Sequence, residues 1–247
     1  MKWDFEGKTV VITGAAQGIG YQVAKGVVEG GGHAVILNLN EEKAKKAAEQ
    51  LGNADAYKID CGNPQNIRAV MVQVLKDHPK VDVEINVAGI ISRPQFQDVT
   101  DAEWEKVIRI NLTGVFTMCS AIYPYFMEHG GGRIVNVASV AGKIGGGLMG
   151  TSAYAASKAG VIGLTKAIAK EGGKYHISCN AVCPSLTKTP MTSALTEEMQ
   201  KRIISMIPLG RAADPSEPAQ MILFFASDAA SFVNGEIGDC DGGIVLD

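Results

Sequence analysis

Lys8-Thr9-Val10-Val11-Ile12-Thr13-Gly14-Ala15-Ala16-Gln17-Gly18-Ile19-Gly20 joins a short β-branched run to a glycine-rich turn. Val10, Val11 and Ile12 are apolar on both sides of a period-2 repeat, the pattern of a strand covered on both faces in a parallel sheet. The turn places small residues at Gly14, Gly18 and Gly20, where a backbone can bend tightly and let another group come close. Residues 18–31 then read as a helix, so its first free N–H groups and the positive end of its dipole face whatever lies over the turn. Such a corner suits a phosphate. A glycine pattern alone is a weak signal, but its place between a first strand and a helix is the context that points to a dinucleotide.

The same alternation continues along the chain. Ala34-Val35-Ile36-Leu37 reads as a second strand and 41–51, rich in Ala, Lys and Glu, as a second helix. Further strands are expected near 55–59, 81–86, 133–138, 177–182 and 236–240, with helices near 64–77, 101–128, 152–171, 190–206 and 215–226. Strands that alternate with helices give an α/β fold, a doubly wound parallel sheet (Rossmann-like) with helices on both faces. Gly130-Gly131-Gly132 and Gly145-Gly146-Gly147 are too short to be linkers and no repeat interrupts the pattern, so 1–247 is expected to be a single domain. Glu84 is out of place in the apolar run Val81–Val87; a carboxylate buried there needs a partner or a proton.

Composition narrows the class. The net charge is −3, with Lys and Arg scattered, so no basic stripe suggests nucleic acid or an anionic membrane as partner. Met1-Lys2-Trp3-Asp4-Phe5-Glu6-Gly7 lacks the apolar segment of a signal peptide and no apolar run reaches spanning length, which places the protein in the cytoplasm. Five cysteines (Cys61, Cys119, Cys179, Cys183, Cys240) are widely spaced without a CxxC pair, which indicates neither a disulfide framework nor a zinc site. His33, His78, His129 and His176 are equally dispersed near element ends, and no metal is expected.

Tyr154-Ala155-Ala156-Ser157-Lys158, with Ser139 upstream, carries the chemistry. In an Ala-rich helix Tyr154 and Lys158 project from one face. A free phenol has a pKa of about 10, and a fixed cation nearby favours the phenolate, so such a pair can move a proton near neutrality. The spacing alone also fits an unremarkable exposed helix.

Two motifs together lift that ambiguity. TGxxxGIG at 13–20 and YxxxK at Tyr154 and Lys158 resemble the patterns of the short-chain dehydrogenase/reductase family, and the resemblance runs over essentially the whole chain. It implies a catalytic serine at Ser139, in Asn136-Val137-Ala138-Ser139, and a helix asparagine at Asn111, in Arg109-Ile110-Asn111-Leu112. It implies dinucleotide contacts at Gly14, Gln17, Gly18, Ile19 and Gly20, and at Asn38, Asp60 and Cys61 around the adenosine. Asn86, Ala88 and Gly89 would follow along the floor, with Pro184, Thr187 and Thr189 at the nicotinamide end and Tyr154 and Lys158 at its ribose. Each residue also has a bland role, as a strand-end serine, a kink asparagine or a turn-forming aspartate. Val87 stands where a second Asn is usual, Ser185 replaces a glycine, and the Ser139–Tyr154 segment runs about two residues long for the family.

The activity so implied is NAD(P)-dependent interconversion of a secondary alcohol and a ketone, with Tyr154 as general acid/base. In that scheme Lys158 lowers the Tyr154 pKa and meets the ribose, Ser139 holds the substrate oxygen, and Asn111 anchors a water chain. A polyol, hydroxysteroid or small ketone is the first expectation for the small-molecule substrate. A 3-oxoacyl-thioester reductase is the alternative, for which a basic docking patch would argue, and none is obvious. A non-catalytic dinucleotide-binding protein is a third reading, which has no need of all four catalytic side chains. The family builds its pocket from three segments, which here offer Ile90, Ile91, Ser92 and Arg93, then Ile144, Leu148 and Met149, then Leu186, Met191, Leu195, Met199, Ile203 and Met206 within a variable stretch near 185–211. Leu and Met at helical spacing can equally be core, and Arg93 a solvated loop arginine. Asn38 stands where an acid would select NAD, Gln17 and Leu39 where bases would select NADP; with Glu41 and Glu42 nearby, a modest NAD(H) preference is expected. Val115, Phe116, Met118 and Cys119, with Val161, Ile162, Leu164 and Ile168, suggest helix faces that pair in a homotetramer, unless they are core.

Overall fold

The computed structural model describes residues 3–146 and 150–246. At its centre lie strands β1 (Thr9–Thr13), β2 (His33–Asn38), β3 (Ala54–Lys58), β4 (Val83–Asn86), β5 (Gly132–Val137), β6 (Ile177–Pro184) and β7 (Ile237–Cys240). They form one parallel sheet in the order β3-β2-β1-β4-β5-β6-β7. Parallel neighbours require long crossovers, and helices supply them: α1 (Gly18–Glu29), α2 (Glu41–Leu51), α3 (Pro64–Asp77), α4 (Asp101–Ile108), α5 (Gly114–Glu128), α6 (Ala141–Ile144), α7 (Ser152–Gly172), α8 (Glu197–Ile204) and α9 (Ser216–Ala226).

The strand pattern explains the layers. Val10, Ile12, Ile36 and Ile85 point to one face, where α1 and α9 bring Val23, Val27, Ile222 and Leu223. Val11, Val35 and Ile134 point to the other, against Ile67 and Met71 of α3, Met118 and Ile122 of α5, and Val161 of α7. Because β1 pairs with β2 on one side and β4 on the other, successive crossovers diverge there, and a crevice opens beyond the carboxyl ends of both strands. No described helix is long and apolar enough to cross a membrane.

Two expected helices are built differently. The helix over 101–128 is interrupted by a single π-type turn at Arg109–Thr113, an insertion that rotates the side chains around Asn111 relative to a continuous α-helix. The helix over 190–206 begins only at Glu197, where Thr196 Oγ1 accepts from the Met199 N–H. Ahead of it the Thr192 hydroxyl donates to Thr187 O at 2.7 Å and accepts from the Thr189 N–H at 3.0 Å, local bonds that compete with helix formation.

Candidate active site

A cavity of about 320 Å³ occupies the crevice. Gly14, Gln17, Gly18, Ile19 and Gly20 line one end, Asn38, Asp60 and Cys61 a side lobe, Ala88 and Gly89 the floor, and Ser139, Tyr154, Lys158, Pro184, Thr187 and Thr189 the far end. The fold therefore gathers all but two of the expected catalytic and dinucleotide-contacting residues. The exceptions are Asn86 and Asn111.

Local geometry makes the glycine end a cradle. Gly14 and Gly18 have φ of +69° and +58°, the left-handed region that glycine enters without strain. A Cβ on Gly14 would stand 3.0 Å from the Ala88 backbone and one on Gly20 2.5 Å from Gly14 O. Thr13 Oγ1 accepts from the N–H groups of Val87 and Ala88 and so ties the loop after β4 to this turn. Gln17 caps α1 without a side-chain hydrogen bond, which leaves the first N–H groups of the helix to an incoming group. Uncommitted donors beside backbone that tolerates no side chain fit a pyrophosphate. The 185–192 segment reaches back over the turn, since a Cβ on Gly18 would meet Thr189 Cγ2 at 3.3 Å.

At the far end Ser139 hydrogen-bonds Tyr154, while its Oγ accepts from the Ala141 N–H at 3.1 Å. Lys158 is buried, its Nζ 5.9 Å from the Tyr154 ring centre, and it donates to Val137 O at 2.7 Å. Burial pushes the Tyr154 phenol up from its ordinary value, and the Ser139 hydrogen bond pulls the other way. Burial also pushes Lys158 down to about 8. The expected depression of Tyr154 by Lys158 is not found in the protein alone, where desolvation decides the direction and only the Ser139 hydrogen bond opposes it.

Asn111 lies wholly buried on the π-type turn. Its Oδ1 accepts from the Ile90 N–H and its Nδ2 donates to Ile90 O, both at 2.8 Å, and to Ser157 Oγ at 3.1 Å. Ser157 in turn donates to Tyr154 O at 2.7 Å. Both amide protons are spent on protein, so only a second lone pair on Oδ1 is left to meet the expected water.

Asn86 departs from expectation. Its side chain turns into the core, where Nδ2 donates to Glu84 Oε1 at 2.8 Å and to Asn136 Oδ1 at 3.0 Å. Asn136 continues to Thr165 Oγ1 at 3.0 Å. This network partners one oxygen of Glu84, while its Oε2 is buried without a partner; burial pushes the carboxyl up to about 7, against the hydrogen bonds from Asn86 and Cys119. Asp60 serves as a turn former, its Oδ1 accepting from the Gly62 N–H, while it also lines the cavity.

Of the expected pocket wall, Ile90, Leu186 and Met191 reach the cavity. Leu195 and Ile203 instead pack with Ile207 and Ala212 in a small separate core, and Ile144, Met199 and Met206 face solvent. Ile91, Ser92 and the exposed Arg93 lie outside the lining, and Leu148 and Met149 fall outside the described residues. Sequence spacing also conceals a proximity: the His33 and His78 rings lie tilted against each other, with centres 5.2 Å apart, beside Asp55.

Comparison with known proteins fits this geometry. A family model described as enoyl-(acyl carrier protein) reductase matches residues 14–245. A 3-oxoacyl-[acyl-carrier-protein] reductase FabG of Thermotoga maritima is 40% identical over 98% of this chain and 99% of its own. An acetoacetyl-CoA reductase of Rhizobium meliloti is 38% identical over 96% of this chain and 98% of its own. A crystal structure from Beutenbergia cavernae, with a provisional assignment as an NAD(P)-dependent gluconate 5-dehydrogenase and NADP bound at low occupancy, aligns with TM-score 0.91 at 34% identity, over 99% of each chain.

Proposed function

The chain belongs to the short-chain dehydrogenase/reductase family, NAD(P)-dependent oxidoreductases of the CH–OH group, and from that premise we propose that its substrate is a 3-oxoacyl thioester reduced to the 3-hydroxyacyl product. The observation that carries the proposal is similarity over nearly the full length, at 38% and 40% identity, to reductases of that class, coupled to a cavity whose far end sets two hydroxyls, Ser139 and Tyr154, beside each other. Two donors on one oxygen suit a ketone that becomes an alkoxide. The polyol or hydroxysteroid class expected first has less support: of the relatives named above, the Beutenbergia cavernae structure is the one that favours a sugar-acid substrate.

The nicotinamide ring, when bound, supplies the hydride to the carbonyl carbon. Tyr154 gives its phenolic proton to the oxygen, Ser139 holds that oxygen in line, and Lys158 provides the fixed positive charge that eases loss of the proton. Asn111 acts as a positioning residue, clamping the Ile90 peptide and the Ser157–Tyr154 turn. Of the residues that line the cavity, Gly14, Gln17, Gly18, Ile19 and Gly20 would hold the pyrophosphate, Asn38, Asp60 and Cys61 would border the adenosine, and Ala88, Gly89, Pro184, Thr187 and Thr189 would border the nicotinamide half. The stretch 185–211 is the variable substrate segment, with Leu186 and Met191 against the acyl part.

The cofactor preference assigned here is a modest one for NAD(H). Asn38 offers no charge, donating instead to Asn40 O, and Leu39 is exposed beside it. Lys58 stands in register with Asn38 at the end of β3, a cation the sequence did not reveal, and it limits the size of the preference. A homotetramer is assigned on narrower grounds than the sequence suggested: Val115, Met118, Cys119 and Val161 are core, which leaves exposed Phe116 and half-buried Ile162, Leu164 and Ile168 to form the contact.

Initial rates test the substrate. Acetoacetyl-CoA reduction is expected to exceed oxidation of gluconate, polyols and hydroxysteroids in kcat/KM by tenfold or more, about 1.4 kcal/mol. The reverse order would refute the thioester assignment.

A further inference from the structure

The end of the sheet away from the cavity holds a second cluster of chemistry-bearing side chains. His33 opens β2, Asp55 is the second residue of β3, and His78 caps α3. Their donor atoms converge. His33 Nε2 is 3.0 Å and His78 Nε2 3.6 Å from the same Asp55 Oδ2, and one ligand atom from each residue lies within 4.8 Å of the others. Metal–ligand bonds of about 2.0–2.2 Å in a tetrahedron imply edges of roughly 3.4 Å. The three atoms therefore span little more than one face of such a site.

The surroundings orient these ligands. Asn53 Nδ2 donates to Gly32 O at 3.0 Å, which fixes Asn53 Oδ1 as the atom 3.0 Å from His33 Nδ1. The Nδ1–H of His33 is thus committed to Asn53, and Nε2 is the nitrogen turned toward Asp55, the arrangement that an outer hydrogen bond imposes on a metal-bound histidine. The Tyr57 hydroxyl, 3.0 Å from Asp77 Oδ2 and 3.1 Å from His78 Nε2, borders the open side, where a metal-bound water could sit. Side-chain exposures of 26%, 13% and 56% for His33, His78 and Asp55 leave a path for an ion to enter.

We propose that His33, Asp55 and His78 form a divalent transition-metal site, zinc by its two imidazoles and one carboxylate, that clips β2, β3 and the end of α3 together. The site is remote from the dinucleotide cavity, so its metal is structural and takes no part in hydride transfer.

The test uses untagged, chelator-stripped full-length protein titrated with ZnCl2 alone by calorimetry, with melting curves in parallel. One zinc per chain with Kd at or below about 10 µM is expected, along with a rise in Tm on zinc addition. Asp55→Asn and His78→Ala should each weaken binding by about tenfold or more and abolish the Tm rise, with oxidoreductase rates unchanged. Since five free cysteines offer competing ligands, the stripped wild type is also loaded with Co2+, whose visible spectrum distinguishes nitrogen/oxygen ligation from thiolate ligation without any variant. Binding weaker than about 10 µM, binding undiminished in folded variants, or a thiolate-type Co2+ spectrum would each overturn the site and leave a cluster held by protons and hydrogen bonds alone.

Discussion

Replacing Glu84 with Gln isolates the free energy of one buried carboxyl. In the folded chain Glu84 is wholly buried between β1 and β5, and burial raises its pKa from an ordinary 4.5 to about 7. The native state therefore keeps the Glu84 proton through a range where the unfolded chain has released it. The stabilisation from that retained proton is full below about 4.5 and lost as pH rises through about 7. The displacement corresponds to about 3 kcal/mol. Glu84→Gln keeps an oxygen to accept from Asn86 Nδ2 but cannot ionise. The variant should match wild type at pH 5 and exceed it at pH 8.5 by up to about 3 kcal/mol, or about 6–12 °C in Tm for a chain of this length. Thermal melts from pH 5 to 8.5 read the difference, and titrations of all other groups cancel between the two proteins. Parallel Tm curves across that range would refute the argument, because they would mean that Glu84 stays ionised at no cost.

Tyr154→Phe should leave dinucleotide affinity nearly intact while kcat falls by about 10²–10⁴, measured by fluorescence titration and steady-state rates; turnover like wild type would remove Tyr154 from the chemistry. With Lys158 lowered to about 8 by burial, its positive charge is present below that pH and lost above it. The kcat/KM for ketone reduction should therefore decline above about pH 8 and stay level between 6 and 7.5, as a pH–rate profile will show. Asn38→Asp should sharpen the preference for NAD(H), and Leu39→Arg should reverse it. Lys58→Ala should lower kcat/KM with NADP(H) more than with NAD(H), and equal losses would show that Lys58 does not reach the 2′-phosphate.

What could be read from sequence follows the range of the interactions. β1 and its glycine turn declare themselves because the Val10–Ile12 run and the spacing of Gly14, Gly18 and Gly20 are local, and each has one good structural solution. Ser139, Tyr154 and Lys158 meet because each occupies a fixed place in the strand–helix alternation. The turns over 190–195 are not legible as such because Thr192 side-chain bonds override a helical pattern of Leu and Met. Sequence alone sends Asn86 to the cavity, whereas register pairs it with Asn136 across β4 and β5, and its Nδ2 donates to Asn136 Oδ1 in the core. The His33–His78 contact is invisible in sequence for a related reason. A parallel crossover and a helix cap bring together residues 45 positions apart, with nothing in either local sequence to announce it.

The π-type turn is the least legible feature and the one that organises the far end of the cavity. One extra residue in the turn aims the Asn111 amide at both polar groups of the Ile90 residue, so the loop after β4 is held by two 2.8 Å bonds from a single side chain. Gly89 lies close beside it: a Cβ there would crowd Asn111 Oδ1 at 3.2 Å and come into ordinary contact with Lys158 Nζ at 3.6 Å. The third Asn111 bond passes through Ser157 to the Tyr154 backbone, and Lys158 is pinned to Val137 O at the end of β5. Two crossovers of the sheet, β4 to β5 and β5 to β6, together with the end of β5, thus converge on the Tyr154–Lys158 pair through buried hydrogen bonds. A site already held in place has little reorganisation left to pay when charge develops on the substrate oxygen. Buried amides rather than exposed ion pairs do the holding, so salt should change cofactor affinity far more than it changes the positions of Tyr154 and Lys158.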